Sequence, residues 1–164
     1  MNDGLYLDDE LQNLAKADFC IGVAGYPEKH FESPNMMNDI KYLKKKVEAG
    51  ADYVVTQMFF NNQKYFDFVD LCRANDINVP IIPGLKPLTT KSQISALPRY
   101  FHIDIPEELA DAVEDCKDNK AARQVGTEWG IQQVKELKAA GVPCVHFFTM
   151  SRAGATYDIL KEVV

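Results

Sequence analysis

Gln57 is a long neutral amide that closes the apolar run Val54-Val55-Thr56, where a buried strand has little structural use for it. A primary amide donates and accepts at once, which suits the edge of a heteroaromatic ligand carrying both kinds of group. A strand-end glutamine bonded to a neighbouring loop is the plainer alternative. Tyr26 and His30 follow another apolar run. A tyrosine can lie along a flat ring and offer its hydroxyl, and a histidine can face a diphosphate, although Tyr26 would also serve simply to pack the turn at Pro27. Asp39 and Lys44-Lys45-Lys46 share one amphipathic stretch, and only one or two of those lysines can face a site. Gln93 and Leu97 stand one helical turn apart. Arg152 follows the last apolar run and can fork onto a carboxylate or other oxygens.

Other chemistries find little support. With only three histidines and no clustered carboxylates, no metal site is expected. His146 lies within an apolar run and reads as a core histidine, His102 as a surface loop residue. Cys20, Cys72, Cys116 and Cys144 are scattered singly, so neither a zinc knuckle nor a dithiol pair is readable; all four are expected to be buried or half-buried thiols in a reducing compartment. The formal charge of −6 offers no basic footprint for nucleic acid or a membrane surface, and no apolar stretch reaches the length of a membrane span. Residues 1–9 lack the basic-then-apolar order of a leader, and the expected location is cytoplasmic.

The elements that must position these residues alternate. Residues 19–25 form a short, nearly continuous apolar run, as in a strand covered on both faces. Met37, Ile40, Leu43 and Val47 carry a helical period that stops at Gly50. A second strand spans residues 52–57, and Tyr65, Phe68, Val69 and Cys72 stripe the next helix. Residues 81–84 make a third strand, followed by a helix near Lys91 capped by Thr89 or Thr90. Pro106 opens a further helix, residues 120–140 a long one, residues 142–148 the fourth strand and residues 155–163 the closing helix. A glycine just before a strand recurs at Gly50 and Gly141. The class is α/β, built from β/α units, and 164 residues with 46% apolar and 26% charged side chains suit a single domain. A small open sheet and half of a closed barrel both fit. No glycine-rich phosphate loop follows the first strand, and the odd residues collect immediately after strands, where a barrel gathers them at one mouth.

Three stretches, Gly22-Val-Ala-Gly-Tyr-Pro-Glu-Lys-His30, Ala49-Gly-Ala-Asp-Tyr-Val-Val-Thr-Gln-Met-Phe-Phe60 and His146-Phe-Phe-Thr-Met-Ser-Arg152, occur in this order together with Pro80-Ile-Ile-Pro-Gly84. In type and spacing they resemble methylenetetrahydrofolate reductase over essentially the whole chain. That resemblance implies a flavin-dependent (β/α)₈ TIM barrel about twice as long, of which residues 1–164 are the C-terminal half, strands five to eight. The N-terminal half, which would supply an acid and a further flavin-side carboxylate, is expected to be the missing partner.

The resemblance implies roles residue by residue. Tyr26, His30, Asp39 and Lys46, with Lys45 secondary, would hold FAD. Gln57 would bind and orient the folate substrate at the reacting end. Gln93 and Leu97 would flank the nicotinamide or folate ring, Leu97 by apolar packing alone, and Arg152 would reach folate or nucleotide oxygens. Phe148 stands where some members carry tyrosine, while Phe59 and Phe60 read as packing. The implied activity is ping-pong hydride transfer from NADH or NADPH through FAD to 5,10-methylenetetrahydrofolate, giving 5-methyltetrahydrofolate, with little turnover from the isolated segment. Two other readings stand beside it: a non-catalytic half-barrel that self-associates as a homo-oligomer, and a different barrel enzyme binding a phosphorylated substrate at the last two strands.

Overall fold

The computed structural model describes residues 15–164, so the expectation for residues 1–9 lies outside it. Among the described residues the order is β1 (Gly22–Gly25), α1 (Met36–Glu48), β2 (Tyr53–Met58), α2 (Asn62–Ala74), β3 (Ile81–Leu85), α3 (Gln93–Phe101), α4 (Glu107–Glu114), α5 (Asn119–Ala139), β4 (His146–Phe147) and α6 (Gly154–Val163). All strand pairs are parallel, and the strands lie in chain order β1-β2-β3-β4. This sequential parallel sheet with its connecting helices is the arrangement of a partial (β/α)-type barrel. No helix of the described residues is long and apolar enough to cross a membrane.

Local chemistry sets the helix ends. Asn35, Asn61 and Asp118 each accept a first-turn backbone N–H, from Asn38, Gln63 and Ala121, at 2.9, 2.9 and 2.8 Å. Gly50 and Gly141 follow α1 and α5 with φ of +105° and +80°, values that a side chain disfavours. Both sit where the sequence places the stops.

Alternation along the strands divides the sheet into two faces. On β2, Val54, Thr56 and Met58 are buried, whereas Tyr53, Val55 and Gln57 are half-exposed. The buried face packs under the helices with Ile40 and Leu43 of α1, Phe68 and Cys72 of α2, Leu137 of α5 and Ile159 of α6. A second cluster, with Phe60, Leu88, Leu97, Leu109 and Val113, lies among the chain from β2 to α5. The other face is open. Register places Gly22, Ala24, Tyr53, Val55 and Ile82 on it.

Several sequence expectations change. The first strand is shorter than residues 19–25, and the fourth contracts from residues 142–148 to two ladder residues, extended by one bond from the Phe148 N–H to the Leu85 carbonyl at 2.9 Å. Both are edge strands with a partner on one side only. His146 is exposed, because its pairing with Gly84 puts it on the open face, where its ring meets Phe148 edge-on at 4.7 Å. Cys20 and Cys144 are exposed as well, while Cys72 is fully buried and its thiol is pushed up to about 11 by desolvation. His102 is a surface residue as expected, and its left-handed backbone ends α3. Its ring stacks on Phe31 at 4.7 Å, and the Asp104 N–H donates to Glu28 at 3.1 Å, so the chain after α3 is tied to the β1–α1 loop.

Gly126 of α5 is buried against the loop that leaves β3; a Cβ there would collide with the Leu88 carbonyl. Alanine favours a helix over glycine by about 1 kcal/mol, but overpacking against backbone costs about 1–3 kcal/mol. Gly126→Ala is therefore expected to lower the unfolding free energy in urea by up to about 2 kcal/mol; an increase would mean that the loop yields freely.

Candidate functional site

The strands run the same way, so the ends of all four emerge at one mouth. Three clefts lie along it. The first, of 470 Å³, follows β1 and is lined by Tyr26, His30, Asp39, Tyr42 and Lys46 among others. The second, of 340 Å³, opens on the uncovered sheet face beside Val55, Gln57 and Phe148. The third, of 370 Å³, lies after β3 and β4, with Lys86, Gln93, Leu97, Arg152 and Thr156 in its wall. Tyr26 borders the first and second clefts, and Phe148 the second and third. The mouth is thus one trough in three compartments.

In the first compartment Asp39, in the first turn of α1, accepts the His30 backbone N–H at 2.8 Å and pins the β1–α1 loop to that helix. His30 Nδ1 lies 3.3 Å from the Glu32 backbone nitrogen. Tyr26 meets His30 edge-on at 4.6 Å. Burial, then the Asp39 charge, raises the Tyr26 phenol above its ordinary value, so its hydroxyl remains a donor at neutral pH. The Lys46 ammonium returns to the Ala24 carbonyl at 3.3 Å, at the end of β1. Lys45 is not brought into this group; it is exposed, its ammonium 5.1 Å from the centre of the Tyr42 ring. A ring wall, a phenol donor, an imidazole and an ammonium could together hold a flat ring and an anionic group.

The second compartment depends on an irregularity. Val55 pairs with Ile82 and Met58 with Gly84, so β2 spends one residue more than β3 between these pairs. The Thr56 hydroxyl fills the gap by accepting the Gly84 N–H at 2.9 Å. Such bulges re-aim side chains near sites. Here the extra residue lies just where Gln57 leaves the sheet. The Gln57 Oε1 accepts the Met58 N–H at 3.0 Å, and no described residue takes up its amide N–H₂. The segment beyond is held from behind: the Trp129 indole N–H donates to the Phe60 carbonyl at 2.9 Å, and Gln133 and Asn62 bond each other within the core. Phe59 and Phe60 are fully buried packing.

In the third compartment the Gln93 Oε1 accepts the backbone N–H groups of Thr89 and Thr90 at 2.7 and 3.2 Å. The expected threonine cap is thereby inverted: the helix starts at Gln93, and its side chain satisfies the threonine amides instead of theirs satisfying it. Leu97 is 5% exposed and belongs to the core while also lining the cleft. Arg152 is exposed at its rim, after Met150 and Ser151 with φ of +48° and +63°. Sequence reasoning passed over Lys86 and Thr156. Lys86 directly follows a buried strand, on the same alternation as Ile82 and Gly84, and that position was the available signal.

Residues 6–164 match the family described as Methylenetetrahydrofolate reductase. The chain is 40% identical over 157 residues to the 5,10-methylenetetrahydrofolate reductase of Buchnera aphidicola subsp. Acyrthosiphon pisum, a match covering 94% of this chain and 54% of that one. It is 38% identical over 147 residues to the probable methylenetetrahydrofolate reductase (NADPH) of Caenorhabditis elegans, covering 88% of this chain and 22% of that one. Among solved structures, a Clostridium thermocellum protein described as binding two copies of 5-methyl-5,6,7,8-tetrahydrofolic acid shares the fold, with a TM-score of 0.57, 20% identity and coverage of 89% of this chain and 53% of that one. The chain spans about half the length of the Buchnera relative.

Gln93→Ala is expected to speed amide exchange at Thr89 and Thr90 and to cost about 1 kcal/mol of stability, whereas Gln93→Glu retains the acceptor and leaves both unchanged. Unaltered exchange in the alanine variant, read by NMR, would remove the capping role.

Proposed function

This chain belongs to the methylenetetrahydrofolate reductase family, and on that premise we propose that it forms strands five to eight of a flavin-dependent (β/α)₈ barrel. The parent enzyme would reduce 5,10-methylenetetrahydrofolate to 5-methyltetrahydrofolate with NADH or NADPH. The observation that carries the reading is the half-exposed amide of Gln57, displaced by a bulge to the mouth and with its N–H₂ uncommitted among the described residues. The solved folate-binding relative and the relative named for NADPH support the ligand classes.

When bound, FAD supplies the hydride relay between the two substrates. The residues of this chain bind and orient. Tyr26 walls the ring and donates its hydroxyl; Lys46 and His30 face the diphosphate; Asp39 holds the loop that presents His30, and Lys45 adds only diffuse positive charge at the rim. Gln57 pairs with the donor and acceptor edge of the pterin and fixes its distance from the flavin, an orienting contribution to catalysis. Gln93 and Leu97 bound the compartment beside it, Leu97 as an apolar wall, and Arg152 faces an anionic end of the folate or nucleotide. The acid that assists ring opening would come from the other half of the barrel, so this segment alone is expected to turn over little.

The test compares wild type with Gln57→Ala in the protein completed to a full barrel. FAD content should stay within about twofold, while folate affinity falls about 10–100-fold, as expected for losing one or two hydrogen bonds to a buried ligand edge. Unchanged folate affinity, or loss of flavin in place of folate, would contradict the assignment.

A further inference from the structure

Glu28 stands between Tyr26 and His30 in the β1–α1 loop, and it is half-buried. None of the ion pairs among the described residues includes it. Its carboxylate instead accepts the Asp104 backbone N–H at 3.1 Å, a bond between positions 76 apart in the chain. Burial raises the Glu28 pKa in spite of that bond, so holding a carboxylate there carries a desolvation cost. Glu28 lines none of the three clefts of the mouth.

The loop that carries Glu28 is stiff. Lys29 adopts a left-handed backbone, φ +75°, and its ammonium donates to the His30 and Ser33 carbonyls at 2.9 and 2.7 Å. Asp39 accepts the His30 N–H from the other side. A run of rings leads outward from the same loop. Tyr26 meets His30 at 4.6 Å, His30 meets Phe31 at 4.8 Å, and Phe31 stacks on His102 at 4.7 Å. His102 ends α3, the helix that opens with Gln93 and buries Leu97. Two fastenings, one polar and one aromatic, thus join this loop to the chain leaving α3. Groups bonded and packed in this way pass a displacement on.

We propose that Glu28 is a positioning residue, a strap that through the Asp104 N–H fixes the loop presenting Tyr26 and His30 against the end of α3. The proposal rests on the reading of Tyr26 and His30 as flavin-side residues. It goes beyond that reading by coupling two parts of the mouth. The β1–α1 loop and the helix bearing Gln93 and Leu97 shift as one body, so a ligand that orders the loop also orders the end of the helix. The Phe31–His102 stack is the second fastening of the same strap, and Glu28 acts without touching the ligand.

The test uses the protein completed to a full barrel, with FAD affinity read by titration and amide exchange by mass spectrometry. In the wild type, FAD should slow exchange over residues 102–105 about tenfold, although none of them lines the first cleft. Glu28→Ala should weaken FAD binding about tenfold and remove that remote protection. Glu28→Gln, which keeps an acceptor for the Asp104 N–H, should stay within about threefold of wild type in both. Phe31→Leu, a change at an exposed position, should weaken FAD about threefold. No protection of residues 102–105 by FAD in the wild type, protection that survives Glu28→Ala, or equal losses in Glu28→Gln and Glu28→Ala would overturn the proposal. FAD affinity that falls in His30→Ala but not in Glu28→Ala would overturn the positioning role alone. Affinity indifferent to His30→Ala as well would overturn the flavin reading on which it rests.

Discussion

The hydrogen bond from the Gly84 N–H to the Thr56 hydroxyl holds the position on which the mouth depends. A ladder in strict register would pair each residue of β2 with one of β3. Here β2 carries an extra residue, and a side-chain hydroxyl satisfies an amide that backbone pairing would otherwise take. Gly84 makes this approach feasible, since any Cβ would strike the Thr56 carbonyl and the Phe148 ring. The same three residues therefore set the gap between β2 and β3, the exit of Gln57 and the wall shared by the second and third clefts. Neither the glycine nor the threonine touches a ligand in this account; both act by placing groups that do.

The trough reads as a gradient of chemistry. Aromatic edge, imidazole and ammonium lie at the β1 end, a neutral amide over the open sheet, and two cations at the β3–β4 end. Each group is presented by a rigid element or by a loop tied to one: Asp39 to the His30 N–H, Gln93 to the threonine amides, Trp129 to the Phe60 carbonyl. An extended ligand with a flat ring and a charged tail suits such an order better than a small metabolite does. Further strands pairing at the free edges of β1 and β4 would close a barrel over the open face that carries Tyr53, Val55 and Ile82.

Much of this was legible beforehand, for physical reasons. Strand-length apolar runs ending in Gly or Pro, and helices stopped by glycines, encode the β/α alternation locally, and Gly50 and Gly141 do adopt the backbone that only glycine takes readily. Gln57 stood out because a buried apolar strand has little structural use for a long amide at its end. What escaped was decided by neighbours distant in sequence. The edge strands shorten for want of a second partner. His146 faces outward because pairing with Gly84, not local apolarity, fixes its face. Gln93 and the threonines exchange capping roles through a loop conformation that composition does not specify. Lys86 resembles any loop lysine until the third compartment forms around it. The lysine run alone does not separate Lys45 from Lys46; the rotation of α1 against β1 brings Lys46 to the Ala24 carbonyl, while Lys45 lies along its own helix beside Tyr42.

The central claim is that the end of β2 addresses the reacting ring of the ligand. A crystal structure of the chain completed to a full barrel, with 5-methyltetrahydrofolate bound, tests it most directly. The account predicts the pterin edge about 3 Å from the Gln57 amide, within hydrogen-bond distance, and the charged tail toward Arg152. A pterin seated away from β2, with Gln57 still bonded only to the Met58 N–H, would contradict it.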